Sequence, residues 1–375
     1  MKRLFIVCCL AVGLVLTACV STPVAEESGG VTPSLPAAAE SPGEVGVVRP
    51  SHYSASALIE TFDAELALQG RSEFTYAGLE NAWGVPSISN GVMYLVVLGL
   101  EGKRDARLVI GYNLETGEVR EYPVDLPALK SVAATDRFLF VTSAINDVST
   151  VARVDKQSGE TVLKEFSGDF LVGITACGER LAVFCQPDFD FTADAELLIL
   201  DEEMEVLNEV PLQGLGRASQ MSLVSDDLLC FGASREDAGL STGYRNSLNT
   251  YSLTSGELRT LAEAEYQYGF SALVGGRLVV LRSEVNVAAG NGLFVCDPQS
   301  GDELFELTTD YMPQHLLARG DALYAAGLDQ ALGAYRLQQY RLEGDTLTLV
   351  TETTLDSGEV LAYDYGVSGL YASAG

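Results

Sequence analysis

The sequence predicts an all-β chain closed into a single β-propeller of seven four-stranded blades, with six or eight also compatible with the spacing. Three observations carry this. Short β-rich runs broken by turns follow one another, with no convincing 3.6-residue apolar period. A Thr/Ser-Gly-Glu/Asp turn returns at nearly constant spacing, and the two ends of the folded region read as complementary parts of one unit.

The amino terminus comes first. Met1-Lys2-Arg3, an apolar run from Leu4 to Leu16, and Thr17-Ala18-Cys19 are the cationic, apolar and small-residue parts of a secretory signal. The run is shorter than the roughly 20 residues of a spanning helix and has no basic stop-transfer flank. Residues 1–18 are therefore expected to be removed. Leu16-Thr17-Ala18-Cys19 resembles the lipobox of bacterial lipoproteins, which implies lipidation of Cys19, export, and anchoring to the cell membrane or outer membrane. From Val20 the composition turns to Pro, Gly, Ala, Ser, Thr and Val with Glu26, Glu27, Glu40 and Glu44 and no aromatic residue, so residues 19–51 read as lipidated cysteine plus disordered tether. Its reach is about 30 Å. The propeller is expected over 52–375.

Runs such as Met93-Tyr94-Leu95-Val96-Val97-Leu98, bounded by Gly91 and Gly99, read as buried strands. The recurring turn stands at Glu115-Thr116-Gly117-Glu118, Gln157-Ser158-Gly159-Glu160, Thr254-Ser255-Gly256-Glu257, Gln299-Ser300-Gly301-Asp302 and, degenerate, Leu342-Glu343-Gly344-Asp345. A missing copy falls at Asp201-Glu202-Glu203-Met204. Glycines 42 to 45 residues apart mark units of about four strands. Naming the strands of a blade A to D from the centre outward, these turns join C to D, while Asn90-Gly91, Gly178-Glu179 and Gly275-Gly276 join A to B. Complete units are expected to start near Trp83, Leu129, Phe170, Ser219, Phe270 and Gln314. Ser54–Tyr76 then supplies strands C and D, and Val360–Ser373 strands A and B, of a seventh unit closed from both termini.

Asp155-Lys156-Gln157-Ser158-Gly159, Asp297-Pro298-Gln299-Ser300-Gly301 and Asn113-Leu114-Glu115-Thr116-Gly117 resemble the first half of the Asp-x-x-Thr-Gly-x-x-x-Trp motif of quinoprotein-like (PQQ-like) repeats. The blade-ending tryptophan is missing, since the only one is Trp83. The resemblance implies architecture, the missing tryptophans argue against a bound quinone, and no cofactor is expected.

The formal net charge is −29, and loss of Lys2 and Arg3 makes it more negative. Such an excess argues against nucleic acid, whose phosphates need basic patches. Of seven cysteines, Cys177, Cys185, Cys230 and Cys296 remain after processing and lipidation. A hairpin at Cys177-Gly178-Glu179-Arg180 puts Cys185 opposite Leu171 or Val172, about 15 Å or more from Cys177, which excludes a bridge between them.

Long connections from B to C are expected at 99–106, 186–195, 232–247 and 282–291, on the end that also carries the connections from D to A. Aromatic residues gather there: Trp83, Tyr266, Tyr268, Phe270, Tyr311, Tyr363 and Tyr365, with His315 at an inner-strand start. They form a candidate binding face for protein or glycan, the alternative being packing between blades. Asp188, Asp190 and Asp194 make a weak candidate cation loop. The expected function is a membrane-anchored extracytoplasmic binding or scaffold protein. The other readings are a lactonase-like or lyase-like propeller enzyme with a channel metal, and an envelope assembly factor, the last by fold analogy alone.

Overall fold

A computed structural model describes residues 44–51, 54–81, 85–100, 105–145, 148–167, 170–186, 193–283, 291–344, 346–356 and 365–372. Cys19 and the expected tether up to residue 43 lie outside them. Every regular element of the described residues is a strand.

Strands β1 (Val45–Pro50), β2 (Ala57–Phe62) and β3 (Leu68–Phe74) open the chain. Blade 1 follows with β4 (Tyr76–Glu80), β5 (Ser87–Ser89), β6 (Val92–Leu100), β7 (Leu108–Asn113) and β8 (Val119–Pro123). Blade 2 holds β9 (Leu129–Ala134), β10 (Phe138–Ile145), β11 (Val148–Asp155) and β12 (Thr161–Ser167). Blade 3 holds β13 (Phe170–Cys177), β14 (Arg180–Gln186), β15 (Glu196–Leu200) and β16 (Val206–Pro211). Blade 4 is β17 (Arg217–Ser225), β18 (Leu228–Glu236), β19 (Tyr244–Ser252) and β20 (Leu258–Ala264). Blade 5 is β21 (Gln267–Val274), β22 (Arg277–Ser283), β23 (Gly292–Cys296) and β24 (Glu303–Thr308). Blade 6 is β25 (Met312–Arg319), β26 (Ala322–Asp329), β27 (Ala334–Glu343) and β28 (Thr346–Leu355), and β29 (Gly369–Ala372) ends the chain.

Each sheet is an antiparallel meander, and the last has the order β29-β1-β2-β3. Closure from both termini is thus present, but divided one strand to three. The C-terminal segment supplies only the innermost strand, and β1 occupies the place expected of a second C-terminal strand. The tether boundary at residue 51 is corrected with it, because every residue of Val45–Pro50 is buried between β29 and β2. A four-residue apolar run next to Gly and Pro has too little pattern to separate a strand from linker. Blade 1 also begins earlier than Trp83: its inner strand is two pieces, β4 and β5, both pairing with β6.

Seven hydrophobic clusters fill the seams, each drawing on two blades adjacent in the ring. Phe184 of blade 3 meets Phe231 of blade 4 edge-on at 4.9 Å. The seam from blade 6 to the closing blade joins Tyr324 and Leu337 to Val45 and Leu370, so no seam is left open. Strands whose two faces both meet a neighbouring blade are apolar without alternation, which explains runs like Met93–Val97. Polar side chains stitch inner strands together. Asn81 receives the Val132 N–H at 2.8 Å and donates to its carbonyl at 2.9 Å, acting as one extra peptide unit.

The repeated turn has a clear cause. In Asn113, Asp155 and Asp297 the side-chain oxygen accepts the N–H groups of the second and third residues after it, at 2.8–3.0 Å, and the glycine closes the turn at positive φ. Asn and Asp are interchangeable there because only an acceptor is required. Backbone N–H donation from Ser158, helped by Arg137, holds Asp155 down at about 2. Where Met204 replaces glycine it takes φ 65° itself.

Candidate functional site

The two ends of each blade differ. One end carries the tight turns from A to B and from C to D; the other carries the connections from B to C and from D to A, the looped end. Chain direction places residue 44 at the tight-turn end. Val45 pairs with both Phe62 and Ala372, Arg319 donates to the Glu44 carbonyl at 2.5 Å, and the Tyr324 hydroxyl donates to its carboxylate at 2.9 Å.

The expected aromatic face is mostly interior. Tyr268 is buried against Phe294 at 5.6 Å, Tyr311 is buried beneath the Arg336 guanidinium, and Phe270 is buried and stacked on His315 at 5.5 Å. These rings pack between blades because an inner strand turns its side chains toward the neighbouring sheets. His315 is largely enclosed, its Nε2 lies 3.1 Å from the Val367 carbonyl, and burial lowers its pKa to about 4. Tyr266 is only half-buried: it meets Tyr268 edge-on, lies under Arg282, and donates to Glu306 at 2.7 Å. Burial and the Glu306 carboxylate push its phenol up. Tyr365 shares a hydrogen bond with Ser56 at 2.7 Å. Trp83 and Tyr363 lie outside the described residues.

Asp188 and Asp190 also lie outside them, and Asp194 is already engaged. Its two oxygens accept the Gly214 and Gly216 N–H groups at 2.7 and 2.8 Å, which fixes the connection into blade 4. The four cysteines are buried and outside any disulfide, with Cys185 opposite Leu171 as the hairpin requires. Burial pushes the Cys177, Cys230 and Cys296 thiols up to about 12.

A cleft that no sequence pattern marks opens on the looped end. It has a volume of about 310 Å³ and lies between blades 1 and 2, lined by Val97, Leu98, Asp105, Pro127 to Leu129, Lys130 and Ile145. Leu98 and Ile145 are 38% and 44% exposed, two of several large apolar side chains open to solvent among the described residues. Lys130 is the extra residue of a bulge, since Ser131 pairs with Thr142 and Leu129 with Ser143. Bulges re-aim a side chain out of the regular alternation. Corresponding register breaks occur in β13, β17, β21 and β25, but only blade 2 sets a lysine at the break. Lys130 has no hydrogen bond or ion pair among the described residues. Its charged neighbour is Glu80, whose carboxyl is raised by burial, with Lys130 pulling it the other way. Asp105 at the rim pairs with Arg107 at 3.2 Å, and Arg107 reaches Asp125 at 3.1 Å.

A second charged group is structural. Glu60 lies between Arg49, 3.0 Å away and fully buried, and Arg71, at 2.7 Å. Arg49 also donates to the backbone carbonyls of Asp356 and Tyr365, tying β1 to the last connection of the chain.

Solved structures similar to this chain are propeller-like in extent and distant in sequence. A putative 6-phosphogluconolactonase from Bacteroides uniformis is 16% identical, with 88% of this chain and 99% of that one covered and a TM-score of 0.58. The β-propeller domain of the trilobed protease from Pyrococcus furiosus, described as having an open velcro topology, is 12% identical over 74% of this chain and 85% of that one, TM-score 0.52. Hydrazine synthase of Kuenenia stuttgartiensis is 18% identical over 71% and 78%, TM-score 0.50. At these identities the likeness establishes the fold alone. No family model matches the sequence, and no curated protein does.

Proposed function

We propose that this chain is an exported lipoprotein whose propeller is a binding or scaffold module, anchored through Cys19 and receiving its partner on the looped end. The observation that supports this most is the position of residue 44 at the tight-turn end, opposite the cleft. A tether leaving there biases the looped end away from the anchoring surface. Acidic side chains on the tight turns, among them Glu115, Glu118, Glu160, Glu202, Glu203 and Glu257, are repelled by anionic headgroups and keep that end standing off. The repeat is of the quinoprotein-like kind, a reading supported by the Asp/Asn-capped turns.

Two measurements test this. Labelling cells with a palmitate analogue should mark the chain and fail to mark Cys19→Ala; equal labelling removes the anchor. A photo-crosslinking residue at Leu332, on the looped end, should give adducts in intact cells that the same residue at Gln299, on a tight turn, does not. Adducts confined to Gln299 would reverse the orientation, and none at either position would end the binding reading.

A further inference from the structure

We infer that the cleft between blades 1 and 2 is a site for a small apolar carboxylate, its hydrocarbon part held between Leu98, Ile145 and Pro127 and its carboxylate received by Lys130. This deepens the reading of the looped end as a binding surface and rests on it.

The apolar half is Leu98 and Ile145, both exposed, which come from the B strands of two adjacent blades to flank one opening. Burying such a side chain against a ligand removes apolar surface from water and is favourable. The volume of about 310 Å³ stands at the small end of ligand sites and suits one side chain or a short acyl chain.

The polar half is Lys130. A lysine placed by a bulge, half-buried, and without a hydrogen bond or ion pair among the described residues has donors to offer. Glu80 interacts with Lys130, burial raising its carboxyl and the ammonium lowering it. Asp105 is turned to Arg107 at the rim, so its charge is met there. A cation facing an apolar wall selects a carboxylate with an adjacent hydrocarbon group. A free short-chain acid and the C-terminal residue of a peptide both have that chemistry.

The test uses the full chain in nanodiscs and calorimetric titration with two pairs of soluble probes: hexanoate with hexanamide, and N-acetyl-leucine with N-acetyl-leucinamide. Each amide keeps the shape and removes the charge. At least one acid should bind about tenfold or more tightly than its amide. A preference for hexanoate assigns the site to free acids, and a preference for N-acetyl-leucine assigns it to peptide C-termini. Lys130→Gln should erase the difference between acid and amide, and Ile145→Ser should weaken acid and amide together, with unchanged circular dichroism melts for both variants. Acids and amides binding alike, no saturable binding by any probe, or an acid preference that survives Lys130→Gln overturns the inference. Crosslinking at Leu332 does not involve these probes, so loss of the partner reading and loss of this site are separately visible.

Discussion

Removing the Glu60 charge should open the ring where it closes. Arg49 is 0% and Glu60 1% exposed, and their contact is 3.0 Å. In Glu60→Gln the Arg49 guanidinium stays desolvated with neutral acceptors alone, the glutamine amide oxygen and the Asp356 and Tyr365 carbonyls, beside the Tyr365 ring. Leaving a buried charge uncompensated costs about 3–5 kcal/mol, whereas replacing both partners by apolar groups is often neutral. Arg71 changes the sum little, because it is 38% exposed and can turn to water. For a folded unit of about 330 residues that loss lowers Tm by roughly 4–7 °C. Calorimetry on Glu60→Gln, Arg71→Ala and the double variant Arg49→Met/Glu60→Leu gives the comparison. The expected order is a large loss, a loss of about 1 kcal/mol or less, and a double variant near the parent. A Glu60→Gln variant within about 1 kcal/mol of the parent would refute the view that this pair is dry and mutually dependent.

Gly46 pairs with Tyr371 within the closing sheet, and a Cβ there would stand 1.9 Å from the ring. Gly46→Ala should therefore cost about 3 kcal/mol or abolish folding, while Gly91→Ala, with open space but φ 70°, should cost only about 1 kcal/mol in chemical denaturation. His315 is held neutral, its pKa lowered from 6.5 to about 4 by burial. The unfolded chain takes up this proton first, so the stability is complete above pH 6.5 and is lost as pH falls toward 4. With some solvent at the ring, the loss is about 2–3 kcal/mol. Denaturation midpoints measured from pH 7 to 4 should fall less steeply in His315→Phe, and parallel curves would contradict this. Asn81→Ala leaves the Val132 N–H and carbonyl without their partner between blades, and should cost about 2–4 kcal/mol by urea unfolding; a loss under about 0.5 kcal/mol would mean that water replaces the amide.

The candidate site was legible only in part. The placement of long connections on one end followed from turn spacing alone, because strand direction alternates and a count of turns fixes the end. The aromatic residues there were visible as residues but not as surface. Tyr268, Phe270 and Tyr311 stand at inner-strand starts, where the same spacing serves a ligand or a neighbouring blade, and the neighbour covers them. Asp194 looked like a cation ligand until two backbone N–H groups took its oxygens. Lys130 was an ordinary residue in the sequence. Its position depends on a one-residue register break against β10, and register is settled by pairing with a distant strand.

The local code settled what local chemistry can settle: the strand-turn rhythm, the Asp/Asn-capped turns with glycine at positive φ, the hairpin that separates Cys177 from Cys185, and hence a ring of seven blades. These depend on residues within a few positions of one another. Tertiary structure alone decided that β1 is a strand and not tether, that three N-terminal strands meet one from the C-terminus, and that a lysine and two exposed apolar side chains face one cleft. Each depends on segments far apart in the chain, where burial by a partner strand outweighs what a short run of residues prefers by itself.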